Sequence, residues 1–88
     1  MDDLKRRVVR LIDEDRIREG PHFRKRCEAR GATLLDAVKA LRNGVLQPDR
    51  FEGENFCFLG TDTKDRRTFV VARIDDEKNY LYLVTLFR

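Results

Sequence analysis

The sequence contains no run of about 18 apolar residues, so nothing in it reads as a membrane-spanning helix. Its opening, Met1-Asp2-Asp3, is acidic and leads into no apolar stretch; a secretory leader is not expected, and a cytoplasmic location is the default. Histidine occurs once, at His22, and cysteine twice, at Cys27 and Cys57. Three such residues cannot supply the four nitrogen and sulfur ligands of a zinc site without help from carboxylates. The two cysteines read either as a pair or, more simply, as buried free thiols behaving as small hydrophobes. There is no Gly-rich phosphate loop, no nucleophile accompanied by a base, and no pair of catalytic carboxylates. Repeats and low-complexity segments are also missing.

What is present suits one small core. Eighty-eight residues suffice for a single domain and are too few for two. Leu, Val, Ile and Phe make up roughly 30% of the chain, well above the level at which disorder is expected. The 40% charged content therefore describes a heavily charged surface around a real core. The net charge of +3 is unevenly spread. Residues 1–50 hold thirteen Lys/Arg against nine Asp/Glu, and residues 51–88 hold six against seven. Positive charge is densest from Arg16 to Arg30, a concentration that suits a polyanion or an acidic partner protein, or else a solvated helix surface.

Leu4, Val8, Leu11 and Ile12 form a helical stripe over Asp3 to about Asp13, with Asp2 or Asp3 available as N-cap and fraying expected at Asp13-Glu14-Asp15, within an N-terminal helical region of residues 1–18. Arg16-Ile17-Arg18-Glu19 reads equally as a last turn or a short extended piece, and Gly20-Pro21 breaks the helix. A two-helix segment spans 22–43. Its first helix runs from His22 to Arg30, stopped by Gly31. Its second runs from Leu34 to Asn43, with Thr33 and Asp36 in a capping-box arrangement, a core stripe of Leu34, Val38 and Leu41, Ala37 and Ala40 letting another element approach closely, and Gly44 as its end. Three strand-like runs follow, at 55–60, 68–75 and 80–87, joined by short polar loops as in an antiparallel meander. The expected class is α+β, with N-terminal helices on one face of a three- to four-stranded antiparallel sheet. In strict alternation, Leu81, Leu83 and Phe87 share one face, and Tyr80, Tyr82, Val84 and Leu86 the other. Both faces are apolar, so the face away from the helices is partly covered or used for contact.

From His22 onward, over roughly three-quarters of its length, the chain resembles domain-of-unknown-function family 4258 of the RelE/ParE-like toxin superfamily. The residues that carry the likeness are His22-Phe23, Arg26, Arg30-Gly31-Ala32-Thr33, Asp36-Ala37-Val38, Leu41-Arg42-Asn43-Gly44-Val45 and the closing Val84-Thr85-Leu86-Phe87. The family has a short strand before the histidine, where this chain has a polar stretch and Gly20-Pro21. The resemblance implies a sheet packed on two helices, with a concave basic face that engages messenger RNA or the ribosome. It also implies an acidic antitoxin-like partner and, in the toxin relatives, metal-independent RNA cleavage by scattered Arg, Lys, His and Tyr groups, with no cofactor. Some superfamily members are not nucleases, so fold alone does not assign activity.

Such cleavage needs a base for the 2′-hydroxyl, an acid for the leaving oxygen and cations for the charge on phosphorus. His22 is the one side chain that titrates near neutrality when unperturbed. Arg26 and Arg30 lie one and two turns beyond it, placed to hold phosphate bidentately. Arg73 and Tyr82 (or Tyr80) complete the candidate catalytic set. Arg24, Lys25, Arg66, Arg67 and Arg88 are candidate RNA contacts. Each has a plainer reading: His22 as a cap, the arginines as partners of Glu28, Asp36 or the 75–77 turn, the tyrosines as sheet packing. The alternative to an RNA-directed protein is a non-catalytic module, monomeric or homodimeric, that docks a partner on its sheet face or edge.

Overall fold

The computed structural model describes residues 3–88. The element order is α1 (Asp3–Asp13), β1 (Ile17–Glu19), α2 (Pro21–Arg30), α3 (Leu34–Asn43), β2 (Val45–Leu46), β3 (Phe56–Thr61), β4 (Arg67–Asp75) and β5 (Tyr80–Phe87), with a 3-10 turn at Pro48–Arg50. The five strands form one sheet in the order β1-β5-β4-β3-β2. The chain is α+β as expected, but the sheet is five-stranded and mixed, because β1 runs parallel to β5 while the other pairs are antiparallel.

Local chemistry explains the helices. Thr33 and Asp36 close a capping box: the Asp36 carboxylate accepts the Thr33 N–H at 2.9 Å, and the Thr33 hydroxyl accepts the Asp36 N–H at 3.4 Å. Gly31, at φ 63°, ends α2 in the left-handed conformation that glycine adopts without steric cost. Proline at its first position suits α2, since that N–H has no helical partner anyway. Asp3 is the first residue of α1 rather than its cap. The other expected cap, Asp2, lies outside the described residues.

All three helices cover one face of the sheet. Val8, Leu11, Phe23, Ala37, Ala40 and Leu41 meet Phe58, Val70, Ala72, Leu81, Leu83 and Leu86 there in a single buried cluster. Ala37 and Ala40, expected to admit a close neighbour, are fully buried with Leu41, whereas Leu34 and Val38 of the expected stripe sit at its margin. The cause is a close approach. A Cβ on Gly60 of β3 would collide with the Ala40 carbonyl and stand 2.5 Å from the Asn43 side-chain oxygen. Alanine and glycine thus bring α3 onto the strand.

The N-terminal helix spans Asp3–Asp13 as its stripe implies, and does not continue over 14–18, because Asp15 turns to φ 57° and the chain then becomes extended. Residues 17–19 form β1, held at both ends by bonds to β5: Leu81 N–H donates to the Arg16 carbonyl at 2.8 Å, and Gly20 N–H to the Leu83 carbonyl at 3.0 Å. Strict alternation along β5 also fails. A bulge between Val71 and Ala72 pairs Leu83 with Ala72 but Thr85 with Val71, leaving Val84 as the extra residue. Parity switches there, so Leu86 joins Leu81 and Leu83 in the core, and Phe87 moves to the face of Tyr80 and Tyr82.

Candidate nucleic-acid interface

The face of the sheet away from the helices carries two different surfaces in one row. At one end of the β4–β5 ladder, Phe69 lies opposite Phe87, with rings stacked 4.7 Å apart and 10° from parallel. At the other end Arg73 lies opposite Tyr82, and Arg18 of β1 takes the position on the far side of Tyr82. The Arg73 guanidinium sits 4.5 Å from the centre of the Tyr82 ring, and that of Arg18 sits 4.8 Å from the centre of Tyr80. Both separations lie within cation–π range. The short parallel strand thus supplies one of the two cations of this cluster.

Tyr82 reaches over the edge of the sheet to the start of α2. A Cβ on Gly20 would lie 2.5 Å from the Tyr82 hydroxyl oxygen and 2.9 Å from the Leu83 carbonyl oxygen, so glycine is what admits the ring. Gly20 is the N-cap of α2, and His22 stands exposed in the first turn beyond it. One turn further on, Arg26 Nε donates to His22 Nε2 at 3.4 Å. The expected alignment of His22 with Arg26 is therefore present as a contact, beside the edge where Arg18, Tyr82 and Arg73 gather.

The rest of the candidate set is divided. Arg30 is eight residues from His22, roughly 12 Å along the helix axis. Its carbonyl accepts from Arg88 at 3.3 Å. Arg88 also donates to Asp62 at 2.8 Å, and Arg66 donates to the same oxygen at 3.0 Å. Asp62 is fully buried. Burial alone would push its carboxyl up; the N–H groups of Arg66 and Lys64 and the two guanidiniums outweigh that and hold it well below the usual carboxylate range. The candidate RNA contacts Arg66 and Arg88 are thus anchored to a structural carboxylate. Arg67 is exposed at the start of β4, and Arg24 and Lys25 are exposed on α2. Among the described residues, Arg18, Arg24, Lys25, Arg26, Arg30, Arg67 and Arg73 enter no ion pair. Of their expected acidic partners, Asp36 accepts from Thr33 and Thr63 and Asp76 pairs with Arg7 at 2.5 Å, while Glu28 and Glu77 enter no ion pair among the described residues.

A cleft of about 490 Å³ flanks Arg73, with Arg7, Glu54, Asp75, Asp76 and Glu77 along its wall. Its acidic turn is structural, since Asp75 accepts the N–H groups of Glu77 and Lys78. Among the described residues no group of three or more His, Cys, Asp or Glu is placed to hold a metal ion. Cys27 and Cys57 are both free and buried, and burial raises both thiols. The reading of the sequence missed Arg18 as a member of the cluster. Its only signal was a cation one residue from an isoleucine in a stretch too short to show a period. No protein-family model, no curated protein and no solved structure matches this chain.

Proposed function

We propose that this chain is an RNA-binding protein that receives a single polynucleotide strand on its helix-free sheet face and along the first turns of α2. One observation carries the reading: two arginine–tyrosine pairs stand together on the helix-free sheet face, with Tyr82 reaching Gly20 at the start of a basic helix whose cations enter no ion pair among the described residues. Aromatic rings and guanidinium planes give unpaired bases something to stack on, and unpaired arginines neutralise backbone phosphates. A duplex buries its base faces and has no use for such a platform. The RelE/ParE-like resemblance adds the candidate chemistry. His22 is the base for the 2′-hydroxyl, Arg26 and Arg73 carry the charge on phosphorus, and Tyr82 is the proton donor to the leaving oxygen. Its support is that His22 and Tyr82 flank the same glycine. An acidic antitoxin-like partner would compete for the same cations.

The test is metal-free binding and cleavage of single-stranded RNA at low and moderate salt. It compares the wild-type chain with Arg18→Ala, Arg73→Ala and His22→Ala. Salt-sensitive binding weakened by both arginine variants supports the platform. Cleavage abolished in His22→Ala with binding retained supports the nuclease. Binding without cleavage leaves a non-catalytic RNA-binding protein, and no binding removes the reading. A second reading, a protein-interaction module, is favoured by Val45, 67% exposed on the two-residue edge strand β2. A particle that stays monomeric at high concentration and captures no partner counts against it.

A further inference from the structure

The helix-free face carries a third arginine–aromatic contact, and it differs from the other two in kind. Arg18, Arg73, Tyr80 and Tyr82 all belong to strands of one sheet, so their pairing is built into the ladder. Arg50 comes instead from the loop between β2 and β3. Its guanidinium lies 4.5 Å from the centre of the Phe69 ring and 5.8 Å from that of Phe87.

The loop is folded on itself. Arg50 N–H donates to the Gln47 carbonyl at 2.9 Å and Phe51 N–H to the Pro48 carbonyl at 3.1 Å, while Glu52 and Asn55 exchange bonds at 3.1 and 3.0 Å. Gly53 turns the chain at φ 62°. Its link to the neighbouring strand is Gln47 N–H to the Cys57 carbonyl at 2.9 Å. Among the described residues, no backbone hydrogen bond joins residues 48–54 to β4 or β5. Beneath it lies a space of about 320 Å³ between Arg50, Phe51, Cys57, Val71 and Phe87, the size of the smaller ligand pockets. Phe51 itself is 40% exposed. The strap thus rests on the two phenyl rings and covers the fully buried Cys57, with Phe51 at its exposed margin.

We propose that the strap at residues 47–55 is a displaceable cover, and that Arg50 occupies on Phe69 and Phe87 the place that a base of a longer RNA strand takes when the strap lifts. This rests on the RNA reading above and extends it. Phe69 is four residues from Arg73 on the same face of β4, roughly 13 Å at strand rise. A short strand fills the Arg18–Tyr82–Arg73 end alone, while a longer one reaches the phenyl pair and must evict Arg50. Planar guanidinium and planar base compete for the same π-faces.

The experiment measures binding of unstructured RNA strands of about 4 and about 12 nucleotides, within the span of known single-strand sites. The proteins are the wild-type chain, Arg50→Ala, and Arg50→Ala combined with Phe87→Leu. Losing one exposed cation–π competitor corresponds to about two- to five-fold in affinity. Arg50→Ala is expected to bind the long strand tighter by that factor and the short strand unchanged, and Phe87→Leu is expected to erase the gain. With the long strand bound to the wild-type chain, amide exchange at Arg50 and Phe51 is expected to rise. Equal or weaker long-strand binding by Arg50→Ala, with exchange unchanged, overturns the cover while leaving the RNA reading intact. Failure of every protein to bind either strand overturns both.

Discussion

Asp62 offers the sharpest test of how the β3–β4 turn is held to Arg88, and through it to the C-terminal end of α2. One carboxylate oxygen accepts the N–H groups of Lys64 and Arg66, each at 2.9 Å. The other accepts from Arg66 Nε at 3.0 Å and Arg88 Nη2 at 2.8 Å. Asp62→Asn keeps the first oxygen and turns the second into an NH₂ group facing two donors. A hydrogen bond to a charged group is worth about 1.5–3 kcal/mol. The Arg66 side chain is 41% exposed, so its share is discounted for solvent screening, whereas the Arg88 side chain is only 20% exposed. The expected loss is about 2–3 kcal/mol, or roughly 10–20 °C in Tm for a domain of this size. Asp62→Ala, which also orphans the two backbone donors, is expected to cost about 1 kcal/mol more. The sign with pH is fixed. The folded carboxyl lies below its unfolded value, so the stabilisation is complete above about pH 4 and fades as pH falls toward the folded value. Urea unfolding followed by circular dichroism at pH 7, 4 and 2.5 should show a gap between wild type and Asp62→Asn that narrows in acid. A gap under about 0.5 kcal/mol at pH 7, or one unchanged in acid, refutes the reasoning.

Gly60→Ala pushes a methyl group against the Ala40 carbonyl and is expected to destabilise by about 2–3 kcal/mol, measured by the same unfolding assay. If RNA binds as proposed, Arg18→Ala and Arg73→Ala should each lower the slope of log affinity against log salt by about 0.7, with Tm changed little, because neither side chain holds a buried partner. Both thiols are buried and raised, so a thiol-specific reagent at pH 8 should modify Cys27 and Cys57 slowly in buffer and rapidly in denaturing urea.

The parts of the fold legible in the sequence were those with local causes. The Thr33–Asp36 capping box, the Gly31 stop and the three long strands each announce themselves within a few residues. The parts that were not legible depend on distant partners. Three residues are too few to show a period, and Ile17–Glu19 is a strand only because β5, more than sixty positions later, offers a free edge. The register of β5 was misread for a related reason. Its parity switch is set by the bulge opposite β4, and nothing in Tyr80–Phe87 alone reveals it. Arg66 and Arg88 look like surface cations in sequence because the carboxylate that fixes them, Asp62, reads there as an ordinary turn residue.

These pairings bear on how the charge of the chain should be weighed. A net charge of +3 is modest, and spread evenly it would say little about partners. The carboxylates are not evenly spent, however. Asp13 is used on Arg42, Asp62 on Arg66 and Arg88, Asp65 on Lys39 and Asp76 on Arg7. The cations of α2 and of the Arg18–Tyr82–Arg73 cluster enter no ion pair among the described residues. The bulge aligns Phe87 with the tyrosines, and β1 carries Arg18 onto the same face. The features that sequence periodicity could not resolve therefore assemble the aromatic and cationic groups into one row. A solvated strand face needs neither stacked phenyl rings nor arginines laid over tyrosines, since isolated charges would keep it wet at less cost. Under the proposed RNA-binding reading, that row is the platform on which a flat, anionic ligand with exposed π-faces would stack.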